Sequence, residues 1–143
     1  MLKENNKLLM DLNGNMNKTI SIPKLTAKAQ KVFNKFIRER DSKDGYFTCI
    51  SCGKTLPVDK MNAGHFAPVK GGSALRFDEY NVNGECEWSN CFDEFHLIGY
   101  RKGIIDKYGE DILIYLEQNA RLVKKWTRSE LNEIIKKYGE ANN

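Results

Sequence analysis

Two cysteine pairs, Cys49-Ile50-Ser51-Cys52-Gly53 and Cys86-Glu87-Trp88-Ser89-Asn90-Cys91, enclose a lone Ala63-Gly64-His65-Phe66. Two thiolates three residues apart grip one ion from a single tight turn. Four thiolates in two pairs match a tetrahedral structural zinc site, with sulfur ligands at about 2.3 Å. No stretch approaches the ~18 apolar residues of a membrane span, and the N-terminus lacks the apolar core of a signal peptide. The chain therefore reads as cytoplasmic. In a reducing compartment its cysteines are expected as metal ligands, not disulfides.

At 143 residues, with 41% hydrophobic and 29% charged residues, the chain has the length and composition of one soluble domain. Its charge is unevenly spread. Residues 24–41 carry Lys24, Lys28, Lys31, Lys35, Arg38 and Arg40 against Glu39 and Asp41, a net +4. Residues 78–96 carry Asp78, Glu79, Glu85, Glu87, Asp93 and Glu94 with no Lys or Arg, a net −6. A basic flank beside an acidic centre suits a polyanion held over a divalent-metal site; solvated helix faces are the plainer reading.

Met1 to Thr19 is rich in Asn and Lys without a clear period, so 1–22 is expected as a flexible arm and 23–143 as the folded domain. Pro23 opens an amphipathic helix over roughly 24–41, with Leu25, Ala29, Val32, Phe33, Phe36 and Ile37 on one stripe. Asp44-Gly45 turns the chain, and Tyr46 to Ile50 is expected as a strand entering the knuckle. Leu56-Pro57-Val58 and Met61 to Phe66 are expected to form a second hairpin carrying His65. Asn81-Val82-Asn83-Gly84 reads as a turn ahead of Cys86. Helices follow. One starts at Gly109-Glu110-Asp111, with Ile112, Leu113, Tyr115 and Leu116 inward. Another, from about 128 to 138, follows the capping box Thr127-Arg128-Ser129-Glu130 and buries Leu131, Ile134, Ile135 and Tyr138. The fold class is α+β: a small zinc-stapled β-hairpin core flanked by one N-terminal and about three C-terminal helices.

A strand-borne histidine, an asparagine turn and a cysteine-led helix follow the order of a ββα-metal nuclease fold. On its own residues His65 has three readings: general base, zinc ligand, or hydrogen-bonded structural histidine. An imidazole pKa near about 6.5 suits a base working close to neutrality. The helix at 24–41, Cys49-Ile50-Ser51-Cys52-Gly53, Ala63-Gly64-His65-Phe66, Leu75-Arg76-Phe77-Asp78-Glu79-Tyr80-Asn81-Val82, Glu85-Cys86 and Tyr100 to Gly109 together resemble the phage NinG (Rap) recombination-nuclease family. The resemblance covers about residues 24–138. It implies an endonuclease that cuts branched DNA, such as Holliday junctions and displacement loops, in a bacterial host of a phage or prophage. His65 would then deprotonate the attacking water and Asn81 would brace the loop that orients it. Asn90 would offer its carbonyl oxygen to a catalytic magnesium or manganese ion, a hard cation that prefers oxygen.

Two positions depart from the resolvases of the endonuclease VII type that share this site pattern. Those carry Cys-x-x-Cys-Asn, whereas here Cys86 and Asn90 match but Ser89 stands at the second cysteine. Cys91 is the expected fourth zinc ligand beside Cys49, Cys52 and Cys86. His96 is the alternative, and three cysteines with a water, or no zinc, are the remaining arrangements. Those resolvases also place an aspartate just before the histidine, where this chain has Gly64. Asp78, Glu79, Asp93 and Glu94 are the candidate replacements.

DNA contacts are expected from Lys31, Lys35 and Arg38 on the first helix, from Lys70 and Arg76 near the glycine loop, and from Arg101 and Lys102. Trp88, Phe92 and Tyr100 are candidate wedges at a branch, with core packing as the plainer role. A zinc-stapled module that binds junctions without cutting them is the competing function, and a protein-interaction domain is a third. Paired cuts at a junction make a homodimer plausible, with the apolar stripes of the first and last helices as its surfaces.

Overall fold

The computed structural model describes residues 19–70 and 72–141, together with the pairing of strand β1 (Leu9–Met10) with β2 (Met16–Asn17). The rest of the arm expected over 1–22, up to residue 18, lies outside the described residues.

Helix α1 (Ile22–Asp41) begins at Ser21, whose hydroxyl accepts the Lys24 N–H at 3.4 Å, with Pro23 in its first turn. A capping serine and an early proline satisfy or remove N–H groups that have no partner inside the helix. Its buried stripe is Leu25, Ala29, Phe33 and Ile37 at four-residue spacing. Helix α5 (Arg128–Ala141) starts with a reciprocal capping box. Thr127 Oγ1 accepts the Glu130 N–H at 3.2 Å, and the Glu130 carboxylate accepts the Thr127 N–H at 2.9 Å. The two helices pack on each other, with the Phe33 and Tyr138 rings 4.7 Å apart edge to face. The stripes that sequence offered as dimer surfaces are therefore already covered within one chain.

Strands β3 (Ser42–Lys43), β4 (Tyr46–Thr48) and β5 (Thr55–Pro57) form an antiparallel sheet. The β3–β4 turn is Asp44-Gly45, at φ +53° and +83°, the pair of left-handed residues that closes a two-residue hairpin. One 3-10 turn (Val58–Lys60) leads to β6 (Met61–His65). Here the expected second hairpin is corrected. Leu56 and Pro57 pair with β4, while β6 pairs antiparallel with β7 (Val82–Cys86), matching Met61 to Cys86 and His65 to Val82.

The expected turn at Asn81-Val82-Asn83-Gly84 is likewise corrected, because residues 82–86 are a strand buried at every position. Asn and Gly disfavour strands in general, but packing and side-chain bonding prevail here. The Asn83 amide donates to the Tyr80 carbonyl at 3.0 Å and its oxygen accepts from Tyr108 Oη at 2.7 Å. At Gly84 a Cβ would come within 2.9 Å of Met61 Sδ.

Cys86 caps the short helix α2 (Glu87–Cys91), and α3 (His96–Tyr108) and α4 (Glu110–Asn119) follow. On α4, Leu113 and Leu116 face inward as expected, but Tyr115 is exposed and donates to Asp78 Oδ2 at 2.6 Å. Tyr100 and Ile104 of α3 join them with Ala67 and Leu75 in a second core. Against the knuckle, α3 presents Gly99 and Gly103. A Cβ on either would lie 3.0 Å from the carbonyl carbon of Ser51 or Ile50, so only glycine allows this approach. No helix among the described residues is long and apolar enough to cross a membrane.

Candidate functional site

The Sγ atoms of Cys49, Cys52 and Cys86 lie within 4.8 Å of one another, close enough to share one ion. Among the described residues this is the one such group of three or more candidate ligands. The backbone is folded around the sulfurs. Cys49 Sγ accepts the N–H groups of Cys52 at 3.4 Å and Cys86 at 3.2 Å, and Cys86 Sγ accepts the Ser89 N–H at 3.4 Å. Gly53, at φ +75°, turns the chain back so that its N–H reaches the Cys49 carbonyl at 2.9 Å. Such N–H contacts offset negative charge on thiolates, and three thiolates beside them suit zinc.

The fourth corner differs from the expected set. Cys91 is exposed at the end of α2 and outside the cluster, where its sulfur accepts the Asn62 side-chain N–H at 3.8 Å. Ser89 is fully buried instead, with its hydroxyl 3.1 Å from Cys86 Sγ and 3.9 Å from Cys49 Sγ. The helical turn explains the exchange: residue 89, three after Cys86, points back at the cluster, and residue 91 points away. His96 is also outside the cluster, paired with Glu85.

His65 ends β6, half-buried. Its Nε2 lies 3.0 Å from the Arg76 carbonyl. A carbonyl only accepts, so Nε2 carries the proton and Nδ1 of the neutral ring is left with its lone pair. Burial lowers the imidazole pKa below 6.5. The nearby Arg76 cation lowers it further, against the raising effect of the carbonyl bond. Asn81, fully buried, closes the loop 66–81 that positions this carbonyl. Its Oδ1 accepts the Ala67 N–H at 2.8 Å, and its Nδ2 donates to the Ala67 and Leu75 carbonyls, both at 3.1 Å. Asn90 is exposed on α2.

Three of the expected DNA contacts come together. Lys31, Arg38 and Arg76 line one shallow cleft of about 430 Å³ on the outer side of α1, where Arg76 Nε donates to Gln30 at 2.9 Å. Arg76 thus joins the cleft to His65. Lys35 is exposed beside Glu39, 3.9 Å away, and Lys70 is exposed near the glycine loop. Arg101 and Lys102 are exposed on α3, and Arg101 is paired with Glu117 at 2.8 Å. Trp88 and Phe92 are well exposed, whereas Tyr100, the third candidate wedge, is fully buried with its hydroxyl donating to the Gly64 carbonyl at 2.6 Å.

A larger cleft, about 610 Å³, does not include His65. Three of its charged groups serve the fold: Asp41 accepts from the Gly84 N–H at 2.7 Å, from Lys107 at 3.0 Å and from Arg40 at 2.7 Å. Burial raises the Asp41 pKa, but these donors outweigh it and hold the carboxyl below its usual value. The acids offered as replacements at Gly64 are hydrogen-bonded elsewhere or exposed. Asp78 accepts from Tyr115 and from the Tyr80 and Asn81 N–H groups, Glu79 from Tyr138, and Asp93 from the Phe95 N–H. Glu94 is exposed. The acid that does sit beside Gly64 is Glu85, buried on β7 and absent from the replacements offered by the sequence. Its place next to Cys86 was the available signal. Reading 81–84 as a turn hid it, since only a strand pairs position 85 near 64.

Paired β6–β7 strands, a histidine at the strand end and a three-cysteine cluster define a compact α+β protein with a metal-competent knuckle. The family model for the bacteriophage lambda NinG protein matches residues 13–142, and the chain belongs to the NinG family. Protein ninG of Escherichia phage 933W is 36% identical over 111 residues, covering 78% of this chain and 53% of that protein. The proteins of the same name from Escherichia phage lambda and Salmonella phage P22 are each 34% identical, covering 78% of this chain and 52% of theirs. The chain thus spans about half the length of the curated relatives it matches. No solved structure matches it.

Proposed function

We propose that the chain is a structure-selective DNA endonuclease that hydrolyses phosphodiesters in branched recombination intermediates, such as Holliday junctions and displacement loops. The observation that carries this reading is His65: a neutral imidazole with Nε2 anchored on the Arg76 carbonyl, next to a cleft lined by Lys31, Arg38 and Arg76. The anchor leaves Nδ1 to take a proton from water, and the lowered pKa keeps it available for that task at neutral pH. The three cations suit the backbone phosphates of a strand laid along α1, a contact that carries shape preference more than base sequence. Cys49, Cys52 and Cys86 would hold a structural zinc, which ties the β4–β5 turn to the start of α2. A magnesium or manganese ion, when bound, would supply charge neutralisation at the phosphate and the leaving oxygen.

Gly64, which leaves the position before His65 without a side chain, favours the second reading of a zinc-stapled module that binds junctions without cutting. Incubating a labelled four-way junction with magnesium or manganese separates the two. Cleavage by the wild-type chain that His65→Ala abolishes supports the nuclease; binding without cleavage by either supports the module.

A further inference from the structure

Glu85 is fully buried, and its two carboxylate oxygens are treated differently. Oε2 is held twice, by the Ser51 hydroxyl and by His96 Nδ1 at 2.7 Å. Oε1 is buried and has no hydrogen-bond partner among the described residues. A buried acceptor without a donor is costly, more so on a charged group, and structures keep few of them without a reason.

The place of Oε1 is also unusual. The β6–β7 register sets Glu85 opposite Asn62 and Asn83 opposite Gly64, so these four residues share one face of the pair. Tyr100 and His96 of α3 reach the same face. A Cβ built on Gly64 would stand 2.9 Å from Glu85 Cβ and 3.2 Å from its Cδ, and closer still to Oε1. The Glu85 carboxylate thus occupies the volume that any side chain at position 64 would take, one residue before His65.

We propose that Glu85 Oε1 is a ligand for a divalent, oxygen-seeking cation at the Gly64 face, with Ser51 and His96 as positioning residues that fix the carboxylate through Oε2. The inference takes its cation from the nuclease reading above and adds the residue that holds it. A hard cation takes carboxylate oxygens, and a ligating carboxylate is commonly steadied by hydrogen bonds to its other oxygen. Glycine at 64 is then a requirement of the site, because it clears the space in which the acid from the neighbouring strand stands.

The test is a manganese titration of the zinc-loaded, isotope-labelled full chain, followed by paramagnetic broadening in NMR spectra. Manganese binds nitrogen and sulfur donors more weakly than zinc and leaves the cysteine cluster occupied. The amides of Gly64, Glu85 and His96 should broaden among the first, and Glu85→Gln should weaken manganese binding at least tenfold with zinc content and junction binding unchanged. Broadening confined to exposed acids such as Glu94, no broadening at all, or equal affinity in Glu85→Gln overturns the proposal. If Glu85→Gln does not fold, the wild-type titration decides alone. Manganese bound at Glu85 without junction cleavage leaves this site standing and removes the nuclease reading. Cleavage with manganese bound elsewhere does the reverse.

Discussion

His65 is half-buried, and the desolvation of its imidazole outweighs its bond to the Arg76 carbonyl. Its folded pKa therefore lies below the unfolded value of about 6.5. In the window just below 6.5 the unfolded chain binds the extra proton, so acidification through that window lowers stability. Above it the term vanishes. An NMR titration of the His65 ring should show a midpoint under 6.5; a midpoint at or above that value contradicts the assigned environment. Asn81 presents the complementary case, a neutral side chain with all its bonds made inside. Asn81→Ala takes away the partner of the Ala67 N–H and of the Ala67 carbonyl, while the Leu75 carbonyl keeps the Asp78 N–H at 3.1 Å. Each buried group left unpaired costs about 1–3 kcal/mol. Urea denaturation should show a loss of that order at least, and a loss under about 0.5 kcal/mol would remove Asn81 as the brace of the loop.

Among the elements, α1 and α5 were legible because their apolar residues repeat at helical spacing and their ends carry capping chemistry. The strands around His65 were legible in place but not in partner. A three-residue run such as Thr55–Pro57 does not encode which neighbour it joins, and β7 hid behind Asn83 and Gly84, whose polar and conformational demands are met only by tertiary neighbours. The same limit kept Glu85 out of the candidate ligands, while the cysteine spacing pointed to Cys49, Cys52 and Cys86, which cluster, and to Cys91, which lies outside the cluster. Helix α3 depends on a feature that no periodicity announces: Gly99 and Gly103 set its backbone against the knuckle carbonyls. Gly103→Ala should push α3 away and destabilise the fold by about 1–3 kcal/mol, the usual cost of overpacking. Calorimetry checks this, and an unchanged or raised melting temperature would show that the approach is looser than described.

At the scale of the whole molecule, three small cores share the work. One joins α1, α5 and β7, one joins α3, α4 and the loop after β6, and the third contains only Phe47, Cys49, Met61 and Cys86 with Leu56 against it. That third core is too small to hold β4 and β5 by apolar burial, and half of its buried members are the cysteines themselves. Zinc in small domains contributes apparent free energies of about 10–16 kcal/mol. Stripping the zinc proposed for the cysteine cluster with a strong chelator should open amide exchange across β4, β5 and the knuckle first, with α1 and α5 still protected. Uniform protection before and after chelation would mean that the cysteine cluster holds no structural ion.

These scales meet in the chemistry assigned to His65, and one measurement tests it most directly. Single-turnover cleavage of a four-way junction is followed for the wild-type chain and His65→Ala, at equal zinc content and with junction binding measured in parallel. Positioned general bases contribute about 10²–10⁴-fold. The wild-type chain should cut in magnesium or manganese, and His65→Ala should bind equally well and cut slower by a factor in that range. Equal rates for the two, or tight binding by both with no cleavage by either, would contradict the account.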